Sequence, residues 1–233
     1  MNVYTYEHAP YEGPGAVLDW AEARGHDVVR CDPLAGAVPI AGAGDLLVVM
    51  GGPASAAEQE RYPWMADEKI AILAAIDAGA GVVGICLGAQ LAASALGAAV
   101  TRNPEPEVGW WPVTLSAEGA ADPVFATLPQ PFTAGHFHND TFGIPEGAVR
   151  TLQSEGCPNQ GFSAFGGRVV GLQCHLEWHA DGVEALAEHF GHTLAPRGWV
   201  VDADAFVAGE ATHGANNRYA LFQILDAVTS VEA

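Results

Sequence analysis

Lysine is almost absent: Lys69 is the only one in 233 residues, and nine basic residues stand against 28 acidic ones. The formal net charge of −19 repels phosphate backbones and anionic lipid, so nucleic acid and membrane surfaces are poor partners. Long apolar runs are missing as well. Each run is broken by glycine or charge before it reaches membrane-spanning length, and the start, MNVYTYEHAP, lacks the basic and apolar stretches of a signal peptide. A cytoplasmic location is expected. Cysteine is sparse, and Cys31, Cys86, Cys157 and Cys174 show no CxxC spacing, which argues against a zinc knuckle and a disulfide framework. No G-x-x-x-x-G-K-[ST] loop occurs, and Lys69 lies far from any glycine-rich turn, so a nucleotide-phosphate cradle is not expected.

What is present is a large apolar fraction, 49% of the residues, enough for one substantial core. No repeat or linker divides the chain, and a single domain over residues 1–233 is the simplest organisation. VYTY, HDVVRC, DLLVVM and GVVGI read as strands, and PGAVLDWAEARG and the stretch 63–78 as helices between them. Strand–helix–strand order of this kind predicts an α/β fold with a doubly wound, mostly parallel sheet flanked by helices. From about 104 to 172, WWPVTL, VRTLQS and RVVGLQ predict shorter strands and hairpins extending that sheet as an added antiparallel portion. Val183, Leu186, Ala187, Phe190 and Leu194 then mark one face of a helix. A helical tail is expected over about 193–233.

The most informative stretch is GVVGICLGAQLAASALG, residues 81–97. Cys86 stands between two glycines where an apolar strand becomes a helix, the form of a nucleophile elbow with sulfur in place of a serine oxygen. Glycine at 84 and 88 suits a turn too tight for nearby Cβ atoms. The helix N-terminus beside the sulfur favours thiolate, and the amide of Leu87 points toward a forming oxyanion. The alternative is a small buried hydrophobe, the ordinary fate of free cysteine.

A nucleophile needs a base. Among nine histidines, His175 ends the apolar stretch Gly171-Leu172-Gln173-Cys174 and has Glu177 two residues on. On an extended segment these two share a face, so Glu177 can orient the imidazole while His175 moves the proton. The pairs His136-x-His138 and His175-x-Glu177-x-His179 could also be read as metal ligands, but their spacing does not match the helical H-E-x-x-H arrangement. No metal or other cofactor is expected.

Five segments in this order resemble the class I glutamine amidotransferases, in particular stand-alone proteins similar to the amidotransferase domain of GMP synthase. They are Val49-Met50-Gly51-Gly52-Pro53, Gly84-Ile85-Cys86-Leu87-Gly88-Ala89-Gln90, Glu107-Val108-Gly109-Trp110, His136-Phe137-His138-Asn139-Asp140-Thr141-Phe142, and Gly171-Leu172-Gln173-Cys174-His175-Leu176-Glu177. The motif-bearing core covers about residues 45–180. The resemblance implies a flavodoxin-like sheet, a triad of Cys86, His175 and Glu177, and attack on the side-chain amide of glutamine to give a γ-glutamyl thioester that water hydrolyses. It further implies Gly52 and Leu87 as oxyanion donors, and Gln90, His138 and Asn139 as substrate contacts, the last two in a loop. Two departures stand out. Leu176 replaces the family's proline between histidine and glutamate, and Asn139 replaces a glycine, asparagine being the residue that best tolerates a left-handed turn. Cys174 is expected to face away from His175 into the core.

The implied partner is glutamine or a γ-glutamyl small molecule. Three functions remain open: a stand-alone γ-glutamyl hydrolase, an ammonia-supplying subunit for a separate synthetase, and a catalytically silent binding or regulatory module on the same fold.

Overall fold

The computed structural model of the protein describes residues 1–36 and 38–231. In chain order its elements are β1 (Asn2–Tyr6), α1 (Ala16–Arg24), β2 (Asp27–Cys31), β3 (Leu46–Val49), α2 (Trp64–Asp77), β4 (Gly81–Ile85) and α3 (Leu87–Ala95). β5 (Val100–Leu115), β6 (Phe132–Phe142), β7 (Val149–Arg150), β8 (Leu152–Gln153), β9 (Gly161–Ala164) and β10 (Val169–Leu172) follow. α4 (Ala180–Phe190) and α5 (Ala203–Ser230) close the chain. None of these helices is long and apolar enough to cross a membrane.

A seven-stranded sheet runs β2-β1-β3-β4-β10-β9-β7. Its first five strands are parallel, while β9 and β7 pair antiparallel at one side. Alternation along β3 builds the layers: Leu46 and Val48 join a core that includes Trp20 of α1 and Leu221, Ile224 and Leu225 of α5. Leu47 and Val49 face the other way, toward Met65 and Ile72 of α2 and Leu91 of α3. Successive side chains of a strand point to opposite faces, so a strand buried on both sides must be apolar throughout. LLVV satisfies that. The α1 C-terminus stops at Gly25 in the left-handed region, φ 69°, where glycine carries no Cβ penalty.

The middle of the chain supplies the expected antiparallel portion, the short strands β9 and β7 extending the main sheet, but not all of it joins that sheet. β5 is a single 16-residue strand, and it pairs with β6 and β8 in a separate three-stranded antiparallel sheet. Pro104, Glu105 and Pro106 fall where the β5–β6 register shifts, between Arg102 and Glu107, while Pro112 pairs in register with Thr133; a bulge absorbs what regular pairing would not. The expected helix face through Leu194 is also shorter, because α4 ends at Phe190. The tail becomes helical only from Ala203, its start capped by Asp202, which accepts from the Ala205 N–H at 2.8 Å. Its last two residues, 232 and 233, lie outside the described region.

Pairing in the second sheet brings charge into the interior. Glu107 stands opposite His138, and Gly109 opposite His136, and all three ionisable groups are buried. Burial drives the His136 imidazole down to about 3, against the opposing pull of Glu107. The Glu107 carboxyl is raised by burial but lowered further by His138 and His136, and ends below the ordinary range.

Two outcomes follow from this framework. A Cβ at position 88 would strike the carbonyl oxygen of Val49, so Gly88→Ala should lose about 1–3 kcal/mol and several degrees of melting temperature by calorimetry. His136 binds its proton far more weakly folded than unfolded, so the folded state holds fewer protons between about pH 6.5 and 3. Stability therefore falls with acidification across that window, by about 1.4 kcal/mol per pH unit for this one proton. Urea titrations at successive pH values should show that slope, and His136→Phe should flatten it.

Candidate active site

The parallel pairing of β4 with β10 fixes the site. Ile85 is in register with Leu172, so the residues that leave these strands, Cys86 and Gln173 onward, emerge side by side at the carboxyl end of the sheet. That edge is where open α/β sheets hold ligands. Cys86 is one of two described non-glycine residues at positive φ, with φ 51° and ψ −107°. This conformation is costly for an L-residue and persists only when its surroundings enforce it. Here the Cys86 N–H donates to Leu172 O at 2.7 Å and the Gly88 N–H to Met50 O at 3.1 Å. The approach is too close for side chains: a Cβ on Gly84 would lie 2.5 Å from Gly88 O. The elbow read from the sequence is present.

His175 follows on an extended stretch, its N–H bonded to Gly135 O of β6 at 2.8 Å. Its Nδ1 lies 2.7 Å from Glu177 Oε1, both groups buried. Leu176 in place of proline therefore leaves the pair in contact, with its own side chain packed in the core. The indole of Trp178 lies flat on the imidazole, centroids 4.1 Å apart and planes 13° apart. Burial pulls the His175 imidazole down, but Glu177 and the nearby Cys86 sulfur outweigh it and hold it well above the ordinary histidine range. No hydrogen bond of regular geometry joins His175 Nε2 to the sulfur. Cys174 is fully buried, and burial, with Glu177 next, pushes its thiol far up.

Cys86, Leu87, Gln90, Gly52, His138 and Asn139 all line one cavity of about 520 Å³. Residues 193–200, part of the expected helical tail, contribute Thr193, Leu194, Ala195, Arg197 and Val200 to its wall. His138 and Asn139 lie in strand β6 rather than in a loop. Asn139 is not at positive φ, so the left-handed turn expected there does not exist and the glycine replacement costs nothing on that account.

Four further residues act on the site without having been singled out. Gln173 donates from Nε2 to Cys86 Sγ at 3.6 Å and accepts from Gln90 Nε2 at 3.2 Å. Its place two residues before His175, on the same face of an extended segment, was the available signal. His8 Nδ1 lies 2.9 Å from Gly51 O while its Nε2 lies 3.0 Å from Glu68, clamping the Gly51-Gly52 turn. A side chain on Gly52 would meet Leu87 Cδ2 at 2.8 Å and His8 Cβ at 2.9 Å. Glu12 also lines the cavity, and burial raises its carboxyl to about 7. No local pattern marks His8, Glu68 or Glu12, whose partners lie far along the chain.

Ligand atoms of Glu107, His136 and His138 lie within 4.8 Å of one another, the one described cluster with metal-site spacing. Glu107 accepts from Ser154 Oγ at 2.8 Å and Gln160 Nε2 at 2.6 Å, and lies 2.9 Å from His138 Nε2. Its lone pairs are thus directed at donors, and the cluster holds His138 in place at the cavity wall.

Comparison with known proteins identifies the family. The family model "Glutamine amidotransferase class-I" matches residues 25–192. The chain is 41% identical over 200 residues to the glutamine amidotransferase-like protein YfeJ of Salmonella typhimurium, covering 84% of this chain and 83% of that one. It is 32% identical over 159 residues to the glutamine-hydrolyzing GMP synthase of Leifsonia xyli, 66% of this chain but 30% of that longer protein. The crystal structure of a glutamine amidotransferase from Thermotoga maritima superposes with a TM-score of 0.88 at 26% identity, over 99% of both chains. The chain belongs to the class I glutamine amidotransferase family.

Proposed function

We propose that the protein hydrolyses the γ-amide of glutamine or of a γ-glutamyl compound through a thioester on Cys86. The observation that carries this reading is the strained elbow holding the Cys86 sulfur beside His175, whose other ring nitrogen is 2.7 Å from Glu177. In the proposed reaction His175 Nε2 holds the proton drawn from Cys86 as sulfur bonds the amide carbon. The oxyanion is received by the backbone N–H groups of Leu87 and Gly52, donors fixed before the charge develops. His175 returns the proton to the amide nitrogen, the C–N bond breaks, and ammonia or an amine leaves. Water, deprotonated by His175, then cleaves the thioester, releasing glutamate and restoring the thiol. Glu177 keeps the imidazole oriented and stabilises its cationic form. Gln90, His138 and Asn139 hold the glutamyl portion, and the whole acts as one domain.

A second reading is that the ammonia passes to a separate synthetase subunit. Its support is the similarity to one portion of GMP synthase, a glutamine-hydrolyzing enzyme far longer than this chain.

Purified protein incubated with glutamine and with a panel of γ-glutamyl dipeptides should release glutamate and the corresponding amine. Dipeptide turnover without glutamine turnover would leave no room for the ammonia supplier; no turnover of either until a synthetase is added would favour it. A diazo-ketone analogue of glutamine should label Cys86, and Cys86→Ala should abolish labelling and turnover together. His175→Ala should cut turnover at least about 100-fold, the usual scale of a lost general base. An inert Cys86 thiol in the wild-type protein would turn the reading toward a silent module.

A further inference from the structure

The few cations of this chain are unevenly used. Eight arginines and one lysine serve the whole sequence, and most are committed to the fold. Arg24 pairs with Asp226, Arg30 with Glu7, and Arg218 with Glu210. Arg168 donates to the carbonyls of Ile76 and Ala80, Arg150 to Asn159, and Lys69 to Gln59. The remaining three, Arg61, Arg102 and Arg197, all line the cavity that holds Cys86.

They come from three separate segments: the loop before α2, strand β5, and the stretch after α4. Arg61 and Arg102 are largely exposed and reach their carboxylates, Glu58 and Asp140, only at 3.4 and 3.5 Å. Arg197 has no side-chain ion pair or hydrogen bond among the described residues. Asp140 is meanwhile engaged by the Ser55 hydroxyl. Over a surface of net charge −19, an approaching anion meets repulsion over most of its path. Guanidinium forks suit carboxylate and phosphate oxygens, and a cavity of about 520 Å³ lies in the range that takes ligands of drug size.

We infer that the substrate is a γ-glutamyl amide whose amine portion is itself anionic, bearing a carboxylate or phosphate that Arg61, Arg102 and Arg197 receive at the cavity mouth. The inference rests on the hydrolase reading for the amide, and on the arginine placement for the charge. Of the three cavity carboxyls, Glu58 and Asp140 lie beside Arg61 and Arg102, and Glu12 is raised to about 7 by burial, so near neutrality it opposes an anion less than an ordinary glutamate does.

Binding to the Cys86→Ala protein separates the two ideas, because it needs no turnover. By calorimetry at low salt, γ-glutamylalanine and γ-glutamyl phosphoethanolamine should bind at least about tenfold more tightly than γ-glutamylalanine amide, which is neutral at that end. The gap should shrink with added salt, and the two anionic arms show whether carboxylate or phosphate is preferred. Arg61→Gln, Arg102→Gln and Arg197→Gln in one chain should bring the anionic compounds down to the neutral one. All three side chains are solvent-facing, and Arg197→Gln alone should already narrow the gap severalfold. Equal binding of charged and neutral amides, or a gap the arginine variants leave intact, would overturn the inference. Turnover by the wild-type protein, measured in parallel, sorts the failures: charge-selective binding without turnover counts against the hydrolase alone, and turnover without charge selectivity against the anionic substrate alone.

Discussion

Everything at the site depends on the hydrogen bonding of two central strands, Gly81–Ile85 and Val169–Leu172. Their register sets how far each chain travels before it leaves the sheet. A slip of one residue would invert the faces of every side chain on the strand and part the sulfur from the imidazole. The apolar side chains on both faces of these strands prevent it, since a slipped strand would have to repack two cores at once. Precision in the site is therefore inherited from burial in the sheet, and the loops merely carry it outward.

Much of this was legible in the sequence because local chemistry encodes it. The glycines around Cys86 announce a turn that no Cβ can enter, and alternation in a short apolar run announces a strand. His175 and Glu177 fall on one face by spacing alone. What could not be read depends on partners far along the chain. His8 reaches Gly51 and Glu68, and nothing near any of the three signals the others. The second sheet was hidden because prolines and charges in Val100–Leu115 suggest interruptions, whereas one long strand accommodates them at a bulge. The expected turn at Asn139 was borrowed from a family pattern, and the strand that replaces it shows that a pattern can outlive the conformation that produced it.

Two kinds of polar group are buried here and they differ in consequence. Glu107 gathers His138, Ser154 and Gln160 into one hydrogen-bonded network beside the second sheet, with His136 buried next to it. Such a network rigidifies a wall and makes it sensitive to acid. Of Cys86, His175 and Glu177, Cys86 lines the cavity while the other two are buried, with Nε2 of His175 and Oε2 of Glu177 lacking a hydrogen-bond partner.

The left-handed backbone at Cys86 has a consequence beyond chemistry. Glycine is the residue most at ease there, so the chain would gain folding stability by giving up its sulfur to glycine and accepting an inert turn. Cysteine at that position runs against the preference of its own backbone. In any lineage where the proposed hydrolysis ceased to matter, mutational drift would press toward glycine first, and the state of residue 86 in a descendant would record whether the pocket was still in use.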